Sequence, residues 1–371
     1  MTIIQKQDMM SVVKDENLFW KKKKLVTFIL SILVFFIHIS SITQYSNAEG
    51  FISIVNEKIS FFFKESITRF AVPMFFILSG ISFFKGYDNT KYFKKIKSRV
   101  STLIVPYLLW NTIWMIFEIM CSYTFISKNF VGRERFVLSF TNILKGIFFY
   151  ECNGPFWFVF NLILFSFLAP IIQLLIRNKY IGISSIILLT ILDTFGIGIP
   201  TSIFLSSTSI IFYLIGAIIG MHYFDIASKE SNKGTQYFSI GFLLAYITLK
   251  NIFAFQSHAL EVPLKVVVFT MSAFALWNVT DMFIHKIKPK KIYSRSFAIY
   301  AMHINVSAII SKLLFICLPK SDWLAIPNFI VTVILTLLSI NFICDFLEKF
   351  LPKVYSVLMG KRLRHQKKGD D

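Results

Sequence analysis

Very little in this sequence announces soluble chemistry. There is no G-x-S-x-G nucleophile elbow, no phosphate-binding Walker loop and no G-x-G-x-x-G dinucleotide fingerprint. The usual soluble hydrolase, nucleoside-triphosphatase and dehydrogenase sites are therefore excluded. Cysteine is scarce as well. The four present, Cys121, Cys152, Cys317 and Cys344, lack metal-ligand spacing, and no H-x-x-x-H pair occurs, so no metal site is expected. Internal repeats, low-complexity linkers and a separate soluble domain are missing too. Acidic residues number only 20 against 39 lysines and arginines in 371 residues, a formal net charge of +19. Such an excess suits nucleic acid in principle, but its placement points elsewhere.

What the chain has in quantity is apolar sequence: 55% hydrophobic residues and a mean hydropathy of +0.65. These come in long blocks, and about 20 apolar residues cross the ~30 Å hydrocarbon layer as a helix. Candidate spans lie near 25–43, 67–84, 101–121, 154–176, 181–198, 203–221, 236–252, 262–283, 296–318 and 326–346. The reading is an all-α, polytopic transmembrane helical bundle of about ten spans. Residues 1–24 form a basic N-terminal segment, 25–346 the membrane domain and 347–371 a basic tail. Basic residues bunch at Lys21 to Lys24, at Lys85 to Arg99, at Lys286 to Arg295 and at Lys361 to Lys368. With ten spans these clusters share one side, which marks it as cytoplasmic and puts both termini inside. The excess charge is thus first a topology signal and second a contact for anionic membrane lipids, with no nucleic acid implied.

The Lys21-to-Lys24 run, the apolar stretch and Ser46-Asn47-Ala48 mimic a cleavable signal, but the charged region before the run is too long for one. Cys121 and Cys152 both fall near outer span ends, where a disulfide is open to them; unpaired apolar thiols are the plainer reading. Residues 122–153 form the second large outer loop. Its Arg133, Glu134, Arg135 and Lys145 among aromatics fit either an amphipathic surface helix or a solvated loop. The tail after Cys344 reads as a basic amphipathic helix.

Polar groups inside spans are costly and are functional candidates by default; the bland alternative is an interhelical hydrogen bond. His38 lies two thirds of the way along the first span. Arg69 opens the second, either snorkelling to the interface or facing inward, with Pro73 perturbing the helix and Ser79-Gly80 allowing close packing. Arg99, with Lys94 and Lys95, stands where the third span begins, and a positive cluster at a helix N-terminus suits phosphate groups. Trp157 suits an aromatic belt, and Asn161 sits one turn deeper. His303 falls near the midplane of the ninth span, close to Tyr300 and Asn305, and Asp193 is a lone acid or a helix-end residue before Gly196.

Taken together, F-F-I-H-I-S-S with His38, R-F-A-V-P-M-F-F-I-L-S-G with Arg69, S-R-V-S-T-L-I-V-P-Y with Arg99 and Pro106, P-F-W-F-V-F-N-L with Trp157 and S-F-A-I-Y-A-M-H with His303 resemble the membrane-bound acyltransferase-3 family. These are integral-membrane O-acyltransferases of surface glycans and lipids. The resemblance implies a catalytic base at His38 and Arg69 orienting the acceptor or charge. It also implies an acyl-CoA co-substrate, such as acetyl-CoA, held at Arg99, Lys94 and Lys95, and no permanently bound cofactor. Trp157, Asn161, His303 and Tyr300 become candidates for contacting substrate. The implied acceptor is a surface polysaccharide or lipid-linked sugar, with polysaccharide-assembly proteins as further partners. The chain departs from the family at Thr27, where an arginine is common eleven positions before the histidine, and at Thr102, where a second basic residue is usual.

Two other classes compete. A non-enzymatic relative that transports or flips a polar solute or glycan needs no coenzyme mouth, and a membrane assembly partner would be indifferent to His38 and Arg69. The Lys-, Ile- and Phe-rich composition fits an AT-rich bacterial genome and hence a bacterial cell membrane.

Overall fold

The computed structural model describes residues 3–39, 42, 50–123, 136–198, 205–252, 258–288 and 290–360, and among these there are helices and no strands. Apolar blocks of this length in lipid must satisfy their backbone internally, which helices do. In chain order the helices are α1 (Ile3–His38), α2 (Phe51–Phe61), α3 (Ala71–Phe84), α4 (Tyr92–Arg99), α5 (Val105–Tyr123), α6 (Phe140–Phe148), α7 (Trp157–Phe167) and α8 (Ala169–Ile176). They continue with α9 (Lys179–Thr194), α10 (Ser207–His222), α11 (Phe224–Ser228), α12 (Lys233–Ile252), α13 (His258–Asp281), α14 (Ser296–Cys317), α15 (Asp322–Phe350) and α16 (Pro352–Leu358).

By length and composition five stretches can cross a membrane: Phe51–Phe84, Asn89–Tyr123, Val262–Asp281, Lys291–Cys317 and Asp322–Phe350. A sixth is the pair α7 and α8, which bend by 70° at Leu168. The expected single span over 154–176 is therefore broken. Pro170, in the first turn of α8, has no N–H to continue the ladder of α7. α9 and α10 have 16 residues each, short of the ~20 a straight crossing takes. The chain is a multi-pass integral membrane protein.

The chain divides into two compact units. The first comprises Met1–Val34, Lys64–Phe93 and Phe167–Ser294. In it α3 and α10 pack backbone to backbone. A Cβ on Gly80 would strike the Tyr213–Ala217 backbone, one on Gly216 the Ile77 carbonyl, and one on Gly220 Ile81. The small Ser79-Gly80 pair thus does permit the close approach read from the sequence. Pro73 is accommodated in the first turn of α3, after the turn at 67–70. In the same unit a buried ion pair ties α1 to α13: Lys22 Nζ lies 2.6 Å from Asp281 Oδ1. Asp281 Oδ2 also accepts from Ser231 N at 3.0 Å and Ser231 Oγ at 2.7 Å.

The second unit comprises Phe35–Phe63, Lys94–Ser166 and Arg295–Asp371. Its core gathers Phe35, Ile39, Ile42, Ala325 and Phe329. α14 and α15 run antiparallel, and α2 is fixed to the start of α15 by Asn56 Nδ2 donating to the Asp322 carbonyl at 2.9 Å. α5 is pinned by its indoles: Trp110 Nε1 donates to Leu358 O at 3.2 Å and Trp114 Nε1 to Ala301 O at 2.9 Å. In the 122–153 connection Phe140–Phe148 is helical with one apolar face, as α6, which carries Lys145; Arg133, Glu134 and Arg135 lie outside the described residues. Cys121 is a free thiol, so no bridge joins it to Cys152. Among the described residues the basic tail is helical as the end of α15 and as α16; residues 361–371 are not described.

Candidate functional site

The second unit brings its two membrane histidines side by side. His38 is the last residue of α1, where the helix stops and leaves its ring exposed. His303 projects from α14 and is 1% exposed. The ring centroids are 5.4 Å apart at an interplanar angle of 45°, and Phe35 closes the other side of His303 at 5.8 Å.

His303 Nδ1 lies 2.8 Å from the Tyr300 carbonyl and 3.1 Å from that of Ile299. Carbonyl oxygens only accept, so Nδ1 carries the hydrogen and a neutral ring presents Nε2 as a bare acceptor. That Nε2 is buried and has no hydrogen-bond partner among the described residues. Leaving it so costs about 1–3 kcal/mol, which marks it as a position built to receive a donor. The backbone of α14 thereby selects one tautomer.

Around the pair the side chains hold shape. Tyr300 donates its hydroxyl to the Pro155 carbonyl and stacks on Phe156 at 5.6 Å and 7°. Its phenol fixes the turn Gly154–Phe156 against α14. Trp157 follows directly, half-buried at the head of α7, and Asn161 Nδ2 donates to the Trp157 carbonyl at 2.8 Å. Asn161 is 1% exposed, and the amide bond it makes goes to its own helix.

The basic mouth differs from expectation. Arg99 does not stand at a helix N-terminus: it ends α4, and a π-helical segment, Val100–Ile104, carries the chain on into α5. Its backbone amides are already inside helix, so they offer no phosphate cradle. The true start lies at Asn89, where the Asp88 side chain accepts from Thr90 N at 2.9 Å. The hydroxyl of Thr90, then Lys91, and least the Thr90 amide hold the Asp88 carboxyl down at about 2. Lys94 is exposed, Lys95 and Arg99 half-buried, and the last two share a face one turn apart. Any donor contact here is made by side chains alone. Thr102 donates to the Ser98 carbonyl at 2.8 Å and Thr27 to that of Lys24 at 3.0 Å.

Arg69 belongs to the first unit, where Glu65 grips it with Nε to Oε2 at 2.5 Å and a second, parallel bond from Nη2. Its charge is already matched by a carboxylate. Asp193 is a helix-end residue, accepting from Thr208 Oγ1 at 3.3 Å. No group of His, Cys, Asp and Glu among the described residues is placed to hold a metal.

Two buried cations and their carboxylate partners were missed from sequence, though only Asp281 is itself buried and Asp345 is exposed. Lys22, read as a topology lysine, is 2% exposed, and burial pushes its ammonium down to about 8 against the pull of Asp281. Arg295, also 2% exposed, donates from Nη2 to Asp345 Oδ1 at 2.6 Å. Asp281 carried a usable signal, being a lone acid in the apolar run 262–283.

Comparison with known proteins gives the arrangement a lineage. The acyltransferase-3 family, described as an acyltransferase domain, matches residues 25–343. The succinoglycan biosynthesis protein ExoH of Rhizobium meliloti (strain 1021) is 22% identical over 222 residues. That stretch is 58% of this chain and 57% of the relative, so the chain spans little more than half of that protein's length. No solved structure matches the chain. The paired membrane histidines at residues 38 and 303 both fall inside the matched region, and the chain belongs to the acyltransferase-3 family.

Proposed function

We propose that this protein is a membrane O-acyltransferase that moves an acyl group, acetyl in the simplest case, from acyl-CoA to a hydroxyl of a surface polysaccharide or lipid-linked sugar. Family membership supports the reaction class, and the relative's part in succinoglycan biosynthesis supports a glycan acceptor. The observation that carries the reading is the histidine pair, with one ring exposed at a helix end and the other holding a bare Nε2.

In this reading His38 removes the acceptor's hydroxyl proton as the oxygen attacks the thioester carbonyl, and His303 Nε2 accepts the proton in turn. The C–O bond forms, the C–S bond breaks, and coenzyme A leaves as a thiolate that takes a proton from water. General-base assistance of this kind is worth ~10²–10⁴ in rate. Lys94, Lys95 and Arg99 serve the coenzyme phosphates as point charges, Arg69 orients the acceptor from within its Glu65 pair, and Trp157 and Asn161 line the substrate side. The ten-span plan with both termini cytoplasmic, in a bacterial cell membrane, completes the proposal.

The test compares transfer of radiolabelled acetyl from acetyl-CoA to surface glycan by membranes carrying the native chain, His38→Ala or Arg99→Ala at matched expression. Abolition by the first and weakening by the second are expected. Thr27 and Thr102, whose hydroxyls are spent on their own helices, favour a second reading in which a glycan or solute is moved without a coenzyme. Native membranes that transfer nothing, beside an active relative in the same background, would refute the enzyme and leave that one.

A further inference from the structure

We propose that α14 and α15 enclose a column of ordered waters running from His303 Nε2 to the α14–α15 turn, and that it carries the proton away from the histidine pair. The second clause rests on the acyltransferase reading; the first does not.

The two helices are antiparallel neighbours joined by the short connection 318–321. Each carries a buried polar stripe at four-residue spacing: His303, Ser307 and Ser311 on α14, and Thr336, Thr332 and Asn328 on α15. Counted outward from the connection, Ser311 is level with Asn328, Ser307 with Thr332, and His303 with Thr336. The rungs are about 6 Å apart. Polar side chains matched in level on two packed helices make a ladder that ends on the histidine.

Most of the ladder's hydrogen-bonding capacity is unspent. Asn328 Nδ2 and Oδ1, Thr332 Oγ1, Thr336 Oγ1 and His303 Nε2 are all buried with no partner among the described residues, and their residues are 2%, 0%, 0% and 1% exposed. Threonines in other helices of the chain behave otherwise. Thr112, Thr190, Thr194 and Thr280 each donate to the carbonyl four residues back, at 2.7–2.8 Å. Thr332 and Thr336 leave that bond unmade, and hydroxyl and amide groups can both donate and accept. Buried polar groups without protein partners are where proteins hold internal water. At ~2.8 Å between linked oxygens, roughly two waters fit each 6 Å rung. Beyond Asn328, Asn56 Oδ1 is a further buried, unpartnered acceptor beside the start of α15. There Trp323 is 75% exposed, so the column's far end lies near the protein surface.

The step balances. His303 Nε2 takes the acceptor's proton from His38 and, because Nδ1 keeps its hydrogen on the Ile299 and Tyr300 carbonyls, gives it up from the same nitrogen to the first water and, by relay, to solvent, while the departing thiolate takes up one proton from water where it is released.

Thr332→Val and Thr336→Val keep shape and delete the hydroxyls. In a hydrated column they strip water contacts, so the melting midpoint in detergent falls. In a dry interior they remove an orphaned polar atom, so it rises. We expect a fall, together with a kcat lowered about tenfold at unchanged KM and an enlarged solvent isotope effect. Thr336→Ser, which restores a hydroxyl, should recover both. A raised midpoint overturns the column, and a lowered midpoint with native kcat and isotope effect overturns the relay. If the native chain transfers no acetyl, the enzyme reading and with it the relay fall, while the midpoint still decides whether the ladder is wet.

Discussion

Replacing Lys22 with methionine would leave Asp281 as a carboxylate buried at 3% exposure, with only the amide and hydroxyl of Ser231 as donors. Removing one partner of a buried ion pair costs about 3–5 kcal/mol, because the other charge stays desolvated and unmatched. The lysine also sits 4.3 Å over the Trp277 ring, worth up to ~2 kcal/mol when desolvated, though methionine keeps part of that packing. For a unit of this size about 2–4 °C accompanies each kcal/mol, so the melting midpoint should drop by on the order of 10 °C. Trp277, one of six tryptophans, lies beside the pair, so tryptophan fluorescence during heating in detergent follows the unfolding. Adding Asp281→Asn removes the stranded charge while keeping an acceptor for Ser231, and should return most of the loss.

The pH dependence has a definite sign. Folded Lys22 titrates at about 8, below the ~10.4 of a free lysine. Between these values the unfolded chain binds more protons, so native stability rises with pH there. Lys22→Met lacks that rise, and its deficit should widen from pH 8 to 10. A single variant as stable as the native chain, or a double variant no better than the single, would refute the reasoning.

Three further outcomes can be stated. Gly216→Ala puts a methyl into the Ile77 carbonyl and should cost about 1–3 kcal/mol, read as a lower denaturation midpoint, with Gly241→Ala, which meets nothing within 4 Å, as the harmless control. Tyr300→Phe removes the hydroxyl from the Pro155 carbonyl, which keeps its backbone N–H partner, and should cost about 0.5–1.5 kcal/mol; acetyl transfer should persist, since the phenol serves the turn. Glu65→Gln breaks a pair whose side chains are 46% and 29% exposed, so melting should move by less than about 1 kcal/mol. A larger loss of transfer than of stability would show that the Glu65 charge steers Arg69.

The histidine pair was legible because polar atoms in lipid stand out: His38 and His303 were both found from hydropathy alone, and Gly80 from its size beside Ser79. Lys22 was hidden by its own neighbours. Four consecutive lysines on a helix point in four directions about 100° apart, and composition cannot tell which one meets a carboxylate more than 250 residues away. Arg99 was misplaced for another reason. Charge suggested that the helix began where the apolar run began, yet the basic stretch from Tyr92 is itself helical, started by Asp88. The tautomer of His303 depends on two carbonyls one turn back, and the break at Leu168 on how α8 leaves α7. Pro170 gave warning of that break.

One local irregularity, the π-helical stretch Val100–Ile104, amounts to a residue inserted into an otherwise continuous helix. Deleting one residue there would let Tyr92–Tyr123 run as ordinary α-helix, but would turn Arg99 and Lys95 by about 100° relative to Tyr107 and Trp110. Gly360, whose left-handed backbone fits against Thr102 with no room for a Cβ, would lose its seat in the same movement. Among relatives, then, a gap or an insertion of one residue at this point would not be neutral drift. It would re-aim the basic cluster in a single step, a larger change than most substitutions of the lysines themselves.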